Sequence, residues 1–275
     1  MDLKETAMWR LIDQTTPNPS FRAIDSFAYD DTLCESVGKN GSPPILRGWV
    51  HLPTVVLGIQ DARLPNIVEA IRYIHDQNTD VVVRNSGGLA VALDSAVLNV
   101  SMIMKEAKKS SISTGYDTMV ALLHKALQTR HIDFEVGEIK GSYCPGSYDL
   151  SINGRKFAGI SQRRIRGAVA VQVYLCISGS GSARARFIQD IYKKAANGKP
   201  LASIPNLQPE VMGSLEELTG QKLTVTSLMS LLADVLHENG ASLAYESLSE
   251  SEHDRFVYYK KRLVTRNESI SQHLI

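Results

Sequence analysis

The sequence is poor in several features that would assign a protein class at once. It has only three cysteines in 275 residues. An odd, sparse set excludes a disulfide scaffold and points to a reducing cytosol. Cys34, Cys144 and Cys176 lie far apart with no histidine at metal-ligand spacing, so no metal site is expected. Charge of one sign is lacking too: 30 Lys and Arg against 29 Asp and Glu give a net +1. That balance argues against a nucleic-acid binder working through overall charge. No apolar run approaches the ~20 residues of a membrane span. The first residues, Met1-Asp2-Leu3-Lys4-Glu5, lack the basic-then-apolar pattern of a signal peptide. There is no P-loop, no dinucleotide fingerprint and no internal repeat. What is present is ordinary globular composition, 43% hydrophobic and 21% charged. Such a chain is expected to be soluble and cytoplasmic, and a lone cysteine in it is a candidate nucleophile.

Periodicity then divides the chain. Asn18-Pro19 reads as a helix start, with Phe21, Ile24 and Ala28 on one face and an end near Val37. Strands are expected over 45–51, 54–59, 80–84, 97–104, 134–139, 148–152 and 156–163. The alternation of Val169, Val171, Val173 and Leu175 adds another. Asn153-Gly154 is a hairpin turn, since both residues tolerate positive φ. Helical stripes lie at 67–74, 119–126 and 183–195. Beyond the irregular stretch 197–209 the pattern turns helical, with Ser214 and Glu217 as a capping box, Leu228 to Val235 as a stripe ended by Gly240, and a last stripe through Phe256, Tyr259 and Leu263. The reading is α+β: mixed, mainly antiparallel sheets with flanking helices over 1–204, and a helical C-terminal appendage over 205–275.

Three segments could carry chemistry. Arg84-Asn85-Ser86-Gly87-Gly88 lets backbone N–H groups approach a ligand, or is simply a turn needing glycine. Gly141-Ser142-Tyr143-Cys144-Pro145-Gly146 places a cysteine in a loop, where it is either a reactive thiol or incidental. Cys34 and Cys176 fit the core instead. After the hairpin turn comes Lys156, with the small residues Ala158 and Gly159 leaving room beside the strand. Arg155, Arg163, Arg164 and Arg166 concentrate positive charge there, as a solvated face or as a docking surface for an acidic protein. None of the seven histidines neighbours Cys144 in sequence.

Together these segments resemble the lipoate–protein ligase and octanoyltransferase family, which shares its fold with biotin protein ligases. The resemblance covers about residues 9–195. It runs through Trp9-Arg10-Leu11-Ile12-Asp13, Leu46-Arg47-Gly48-Trp49 and Leu57-Gly58-Ile59-Gln60, and is most specific at Arg84 to Asp94 and Gly154 to Gln162. It implies that the Arg84–Gly88 loop walls an acyl pocket with Ser86 and Gly87, and that Lys156 holds the acyl carbonyl. Leu89 and Leu93 stand where ligases usually carry a third glycine and a histidine, which counts against ATP use. Cys144 occupies the loop position of the cysteine-dependent transferase branch. That branch implies a protein-lysine octanoyl (lipoyl) amidotransferase without a cofactor. Its donor would be the octanoylated glycine-cleavage H protein, and its acceptors the lipoyl domains of 2-oxoacid dehydrogenases.

On that reading Cys144 attacks the octanoyl-lysine amide to form a thioester, and Lys156 stabilises both the thiolate and the carbonyl oxygen. Octanoyl-acyl carrier protein as donor, an ATP-dependent ligase and a non-catalytic lipoyl-domain binder remain alternatives. One tension is geometric. A two-residue turn pairs Ser151 with Lys156 and Ser147 with Ile160. Cys144 then lies roughly 13 Å along the strand from Lys156, unless its loop folds back.

Overall fold

The alternating segments build two sheets. In chain order the computed structural model has β1 (Met8–Gln14), α1 (Ala23–Lys39), β2 (Ile45–Trp49), β3 (Thr54–Leu57), α2 (Ile67–Asp76) and β4 (Asp80–Val83). Then follow β5 (Val91–Leu93), β6 (Val97–Lys105), α3 (Ile112–Gln128), β7 (Glu135–Val136), β8 (Asp149–Ile152) and β9 (Arg155–Ile165). The chain closes with β10 (Ala168–Cys176), α4 (Gly181–Ala196), α5 (Leu215–Thr219), α6 (Val225–Glu238), β11 (Ser242–Tyr245) and α7 (Glu250–Ser271). The structure describes residues 7–107, 111–197 and 204–271. Met1 to Glu5 and part of the 197–209 boundary lie outside them.

The large sheet has eight strands in the order β11-β1-β2-β6-β10-β9-β8-β7, and the small one three, β4-β3-β5. The large sheet is antiparallel except where β1 pairs with β2 and β11. The expected α+β architecture therefore holds. Strand β10 explains its own alternation: Val169, Val171, Val173 and Leu175 enter the core beneath α3 and α6, while Ala168 and Ala170 face the core under α1. Both faces are covered, so the strand reads as nearly continuous apolar sequence.

Three expectations need correction. Asn18-Pro19 forms a turn in which the Asn18 side chain accepts the Ser20 N–H; the first helix starts at Ala23, where Asp25 reaches back to the Arg22 N–H. Residues beyond 205 are not a purely helical appendage. β11 adds an edge strand to β1, and Met212, Leu215 and Leu228 are fully buried in the same cores as the preceding strands. A four-residue edge strand carries too little alternation to stand out. The 134–139 strand shrinks to Glu135–Val136, because the chain leaves the sheet edge for the Cys144 loop. No helix among the described residues is long and apolar enough to cross a membrane.

Candidate active site

The hairpin turn forms as expected, with Asn153 and Gly154 at φ +50° and +71° and Ile152 opposite Arg155. The register beyond it does not stay regular. Ser151 opposes Lys156, but Leu150 opposes Ala158 and Asp149 opposes Gly159, so Phe157 is an extra residue in a bulge. That residue changes which side chains share a face. Phe157 and Ala158 both enter the core with Leu150, whereas Lys156 and Gly159 lie together on the other side. Ala158 is therefore a core residue and does not line the pocket, contrary to expectation. A Cβ on Gly159 would sit 3.4 Å from Lys156 Nζ and 3.0 Å from the Tyr174 ring, so glycine keeps this floor open.

The tension over the Cys144 loop is resolved by folding back. Lys156 is fully buried, and its ammonium donates to the carbonyls of Tyr143 at 3.0 Å and Cys144 at 2.9 Å. It pairs with Asp149 at 2.8 Å. The Asp149 carboxylate in turn accepts the N–H groups of Ile139 at 3.1 Å and Gly146 at 3.2 Å. Burial pushes the Asp149 carboxyl above its ordinary range, against the opposing pull of Lys156. One buried ion pair thus pins both ends of the loop. From the C-terminal region, Gln208 N–H donates to Gly141 O at 2.8 Å, and Gly213 N–H to Lys156 O at 2.9 Å. Tyr143 is buried next to the nucleophile position and stacks on Tyr174 at 5.9 Å. Cys144 itself has φ +46°, an unusual conformation for a residue with a side chain.

The sulfur of Cys144 does not meet Lys156. It accepts the N–H of Leu89 at 3.1 Å and lies 3.4 Å from Arg84 Nη2. The hydrogen-bond partners of the sulfur are thus two groups of the Arg84–Leu89 loop, some 55 and 60 residues away in sequence. Arg84 was legible as a charge beside a glycine pair, but its contact with the thiol was not. Gly88 makes that contact sterically feasible. It has φ +107°, and a Cβ there would stand 2.9 Å from Cys144 Sγ and 2.3 Å from Arg84 Nη2. The loop is braced by Asn85, whose amide donates to Asp31 at 2.9 Å.

Beside the sulfur opens a cavity of about 290 Å³ between the two sheets. Trp49, Asn99, Gly159 and Tyr174 face it from the large sheet, and Val56 and Leu93 from the small one. Arg84, Ser86, Gly87 and Gly88 line it together with Cys144. This is a mostly apolar slot with the Cys144 thiol in its lining, at the small end of ligand-pocket volumes. Among the described residues no cluster of His, Cys, Asp and Glu could hold a metal. Cys34 and Cys176 are fully buried, and burial pushes both thiols up.

The four arginines expected to form a docking surface are engaged within the molecule. Arg155 donates to the carbonyls of Glu210 and Met212 at 3.1 and 3.0 Å. Arg163 grips Asp31 at 2.8 and 3.0 Å and donates to Asn85 O at 3.2 Å. Arg164 pairs with Glu106, and Arg166 reaches Tyr259 Oη at 3.2 Å and Glu35 at 3.7 Å. Two of them, Arg163 and Arg166, are taken up by buried acids of α1, Asp31 and Glu35.

An apolar slot with an oriented thiol in its lining, on two sheets of this topology, defines an acyl-handling enzyme. Comparison with known proteins agrees. The lipoyl protein ligase A/B catalytic domain model matches residues 22–237. The chain belongs to the lipoyl protein ligase A/B catalytic-domain family. It is 49% identical over 271 residues to the octanoyl-[GcvH]:protein N-octanoyltransferase of Anoxybacillus flavithermus, covering 98% of each chain. It is 46% identical over 265 residues to the lipoyl-[GcvH]:protein N-lipoyltransferase of Listeria monocytogenes, covering 96% of this chain and 95% of that one. Among solved structures, lipoate-protein ligase A bound with ATP superposes with TM-score 0.72 at 18% identity, covering 94% of this chain and 95% of that one. A putative lipoate protein ligase of Thermoplasma acidophilum with bound lipoic acid gives 0.69 at 16%, with the same coverage. These structures share the fold.

Proposed function

We propose that this chain is a protein-lysine N-octanoyltransferase that takes the acyl group from octanoylated H protein of glycine cleavage, carries it on Cys144, and delivers it to lipoyl domains of 2-oxoacid dehydrogenases. Donor identity rests on the names of the two close relatives. The carrying role rests on one observation: Cys144 Sγ lines an apolar slot, held by the Leu89 N–H and the Arg84 guanidinium.

The chemistry follows in two balanced steps. Cys144 attacks the carbonyl of the octanoyl-lysine amide. The S–C bond forms, the C–N bond breaks, and the proton from the thiol ends on the departing lysine amine. The acceptor lysine amine then attacks the thioester, a new amide forms, and the thiol is regenerated. Amide is exchanged for amide, so the overall reaction is nearly isoenergetic and needs no ATP. Arg84 and the Leu89 N–H are the donors nearest any oxygen bonded through carbon to Sγ, which makes them the stabilisers of the tetrahedral oxyanion. Lys156 acts one step back. Its donors go to Asp149 and to the Tyr143 and Cys144 carbonyls, so it sets the loop that carries the nucleophile.

Departures from the ligase pattern support transfer over ligation. Leu93 is buried in the slot wall, and Asp94 is tied to Arg184 at 2.7 and 2.9 Å. The reading is tested with purified octanoyl-H protein and a lipoyl domain, without ATP. The native enzyme is expected to transfer octanoyl. Cys144→Ala is expected to lose activity on the order of 10³-fold or more. Octanoyl-acyl carrier protein serving equally well would move the donor assignment, and activity that needs ATP and survives Cys144→Ala would replace the reading by ligation.

A further inference from the structure

We propose that Asn267, on α7, is a positioning residue for the Cys144 site: it clasps the backbone of Val83 and thereby aims the Arg84 guanidinium at the sulfur. β4 is an outer strand of the small sheet, so one edge of its backbone has no strand partner. Asn267 takes that place at the last residue before Arg84. Its Oδ1 accepts the Val83 N–H at 2.7 Å, and its Nδ2 donates to Val83 O at 3.1 Å. Nδ2 also donates to Leu263 O, one helical turn back, at 2.9 Å, which fixes the amide orientation. A primary amide supplies a donor and an acceptor side by side, as a neighbouring strand would. The next N–H, that of Arg84, points the other way, into the sheet, to Leu57 O at 3.0 Å.

Arg84 depends on this clasp more than the other buried arginines would. Arg10, Arg47 and Arg184 are each held by a carboxylate at 2.7 or 2.8 Å. Among the described residues Arg84 makes no such ion pair, and its Nε is buried without a hydrogen-bond partner. Its guanidinium is held, among those residues, by the Leu89 carbonyl alone besides the Cys144 sulfur, so its aim depends on where its backbone is fixed. That backbone is gripped on both sides: Val83 by Asn267, and Asn85 by Asp31 and Arg163. The helix that supplies Asn267 is itself fixed to α1, through Lys260 to Asp25 at 2.6 Å and through Tyr259, which is buried and bonded to Glu35. The C-terminal helix is thus mechanically continuous with a contact on the nucleophile that lies 123 residues earlier in the chain.

The proposal rests on Cys144 being the nucleophile, so the experiment separates the two. Asn267→Ala, Asn267→Asp and Cys144→Ser are compared with the native enzyme in octanoyl transfer, and the Asn267 variants also in alkylation of Cys144 by iodoacetamide at neutral pH, with thermal unfolding recorded for each. Misaim by a fraction of an ångström is expected to lower kcat for Asn267→Ala about tenfold. KM for the octanoylated donor should stay within about twofold, and the alkylation rate should fall with kcat. Asn267→Asp keeps the acceptor for the Val83 N–H and is expected to fall between the two; it carries the test if the alanine variant does not fold. Native kcat and native alkylation in a folded Asn267 variant would overturn the proposal, as would losses that disappear on cooling well below the unfolding transition. Full transfer by Cys144→Ser would instead overturn the nucleophile reading, while the alkylation comparison still reports whether Asn267 aims the contact.

Discussion

The Cys144 loop and the arginine run of β9 lie within one hairpin's reach of each other, yet they use charge in opposite ways. In the loop, one lysine and one aspartate are completely enclosed and hold the backbone around a thiol that stays partly open. Along β9 and just past its end, Arg163 and Arg164 at half-buried positions and Arg166 at an exposed one reach acids on other elements, and α1 takes up two of them through Asp31 and Glu35. The first arrangement is local, buried and costly to break. The second is distributed, half-exposed and redundant. Buried pairs lose far more when one partner goes than exposed pairs do. The protein therefore concentrates its electrostatic vulnerability where its chemistry is and spreads it elsewhere.

Substitutions can sharpen or break that contrast. After Cys144 itself, the largest effect on activity is expected at Arg84. Arg84→Gln removes the cation beside Cys144 Sγ and should lower octanoyl transfer about 10²-fold, measured as kcat/KM, with little change in unfolding temperature. Lys156→Met should act on stability instead, because it leaves Asp149 buried and unpaired, at a cost of about 3–5 kcal/mol in urea unfolding. Adding Asp149→Asn should recover part of that loss without restoring activity, since the loop carbonyls of Tyr143 and Cys144 would still lack their donor.

A third effect depends on pH. Glu252, at the start of α7, accepts two bonds from Arg10 at 2.8 and 2.9 Å, and hydrogen bonding with that cation holds its carboxyl down at about 2 against the opposing effect of burial. A carboxyl lowered by folding contributes stability above its ordinary value near 4.5, and this is lost as pH falls toward about 2. Acid unfolding should therefore steepen across that window, and Glu252→Gln should flatten it. The smallest effect belongs to Arg166→Ala. Its side chain is 39% exposed and its carboxylate lies 3.7 Å away in solvent-screened surroundings, so the urea-unfolding midpoint should stay at the native value. A midpoint shift as large as that of Lys156→Met would break the comparison between the two regions.

What the sequence made legible follows the same division. Cys144 stood out because Gly, Pro and Ser around it exclude a core role, and Asn153-Gly154 because its backbone needs are local. Ser214 with Glu217 was legible for the same reason, and the capping box forms with bonds of 3.0 and 3.2 Å. The Arg84–Cys144 contact joins two loops through tertiary folding, with no periodicity to announce it. The bulge at Phe157 was equally hidden: nothing in Lys-Phe-Ala-Gly distinguishes a regular strand from one carrying an extra residue, yet it decides that Lys156 and not Ala158 faces the site. The partners of the basic run were hidden by distance: Asp31 of α1, which Arg163 grips, lies 132 residues earlier in the chain.

The central claim is that Cys144 carries the acyl group. Intact-mass analysis and peptide mapping after mixing with octanoyl-H protein, without acceptor and without ATP, test it most directly. A gain of one octanoyl group on Cys144 is expected, released when a lipoyl domain is added. Transfer proceeding at the native rate with Cys144 unmodified would contradict it.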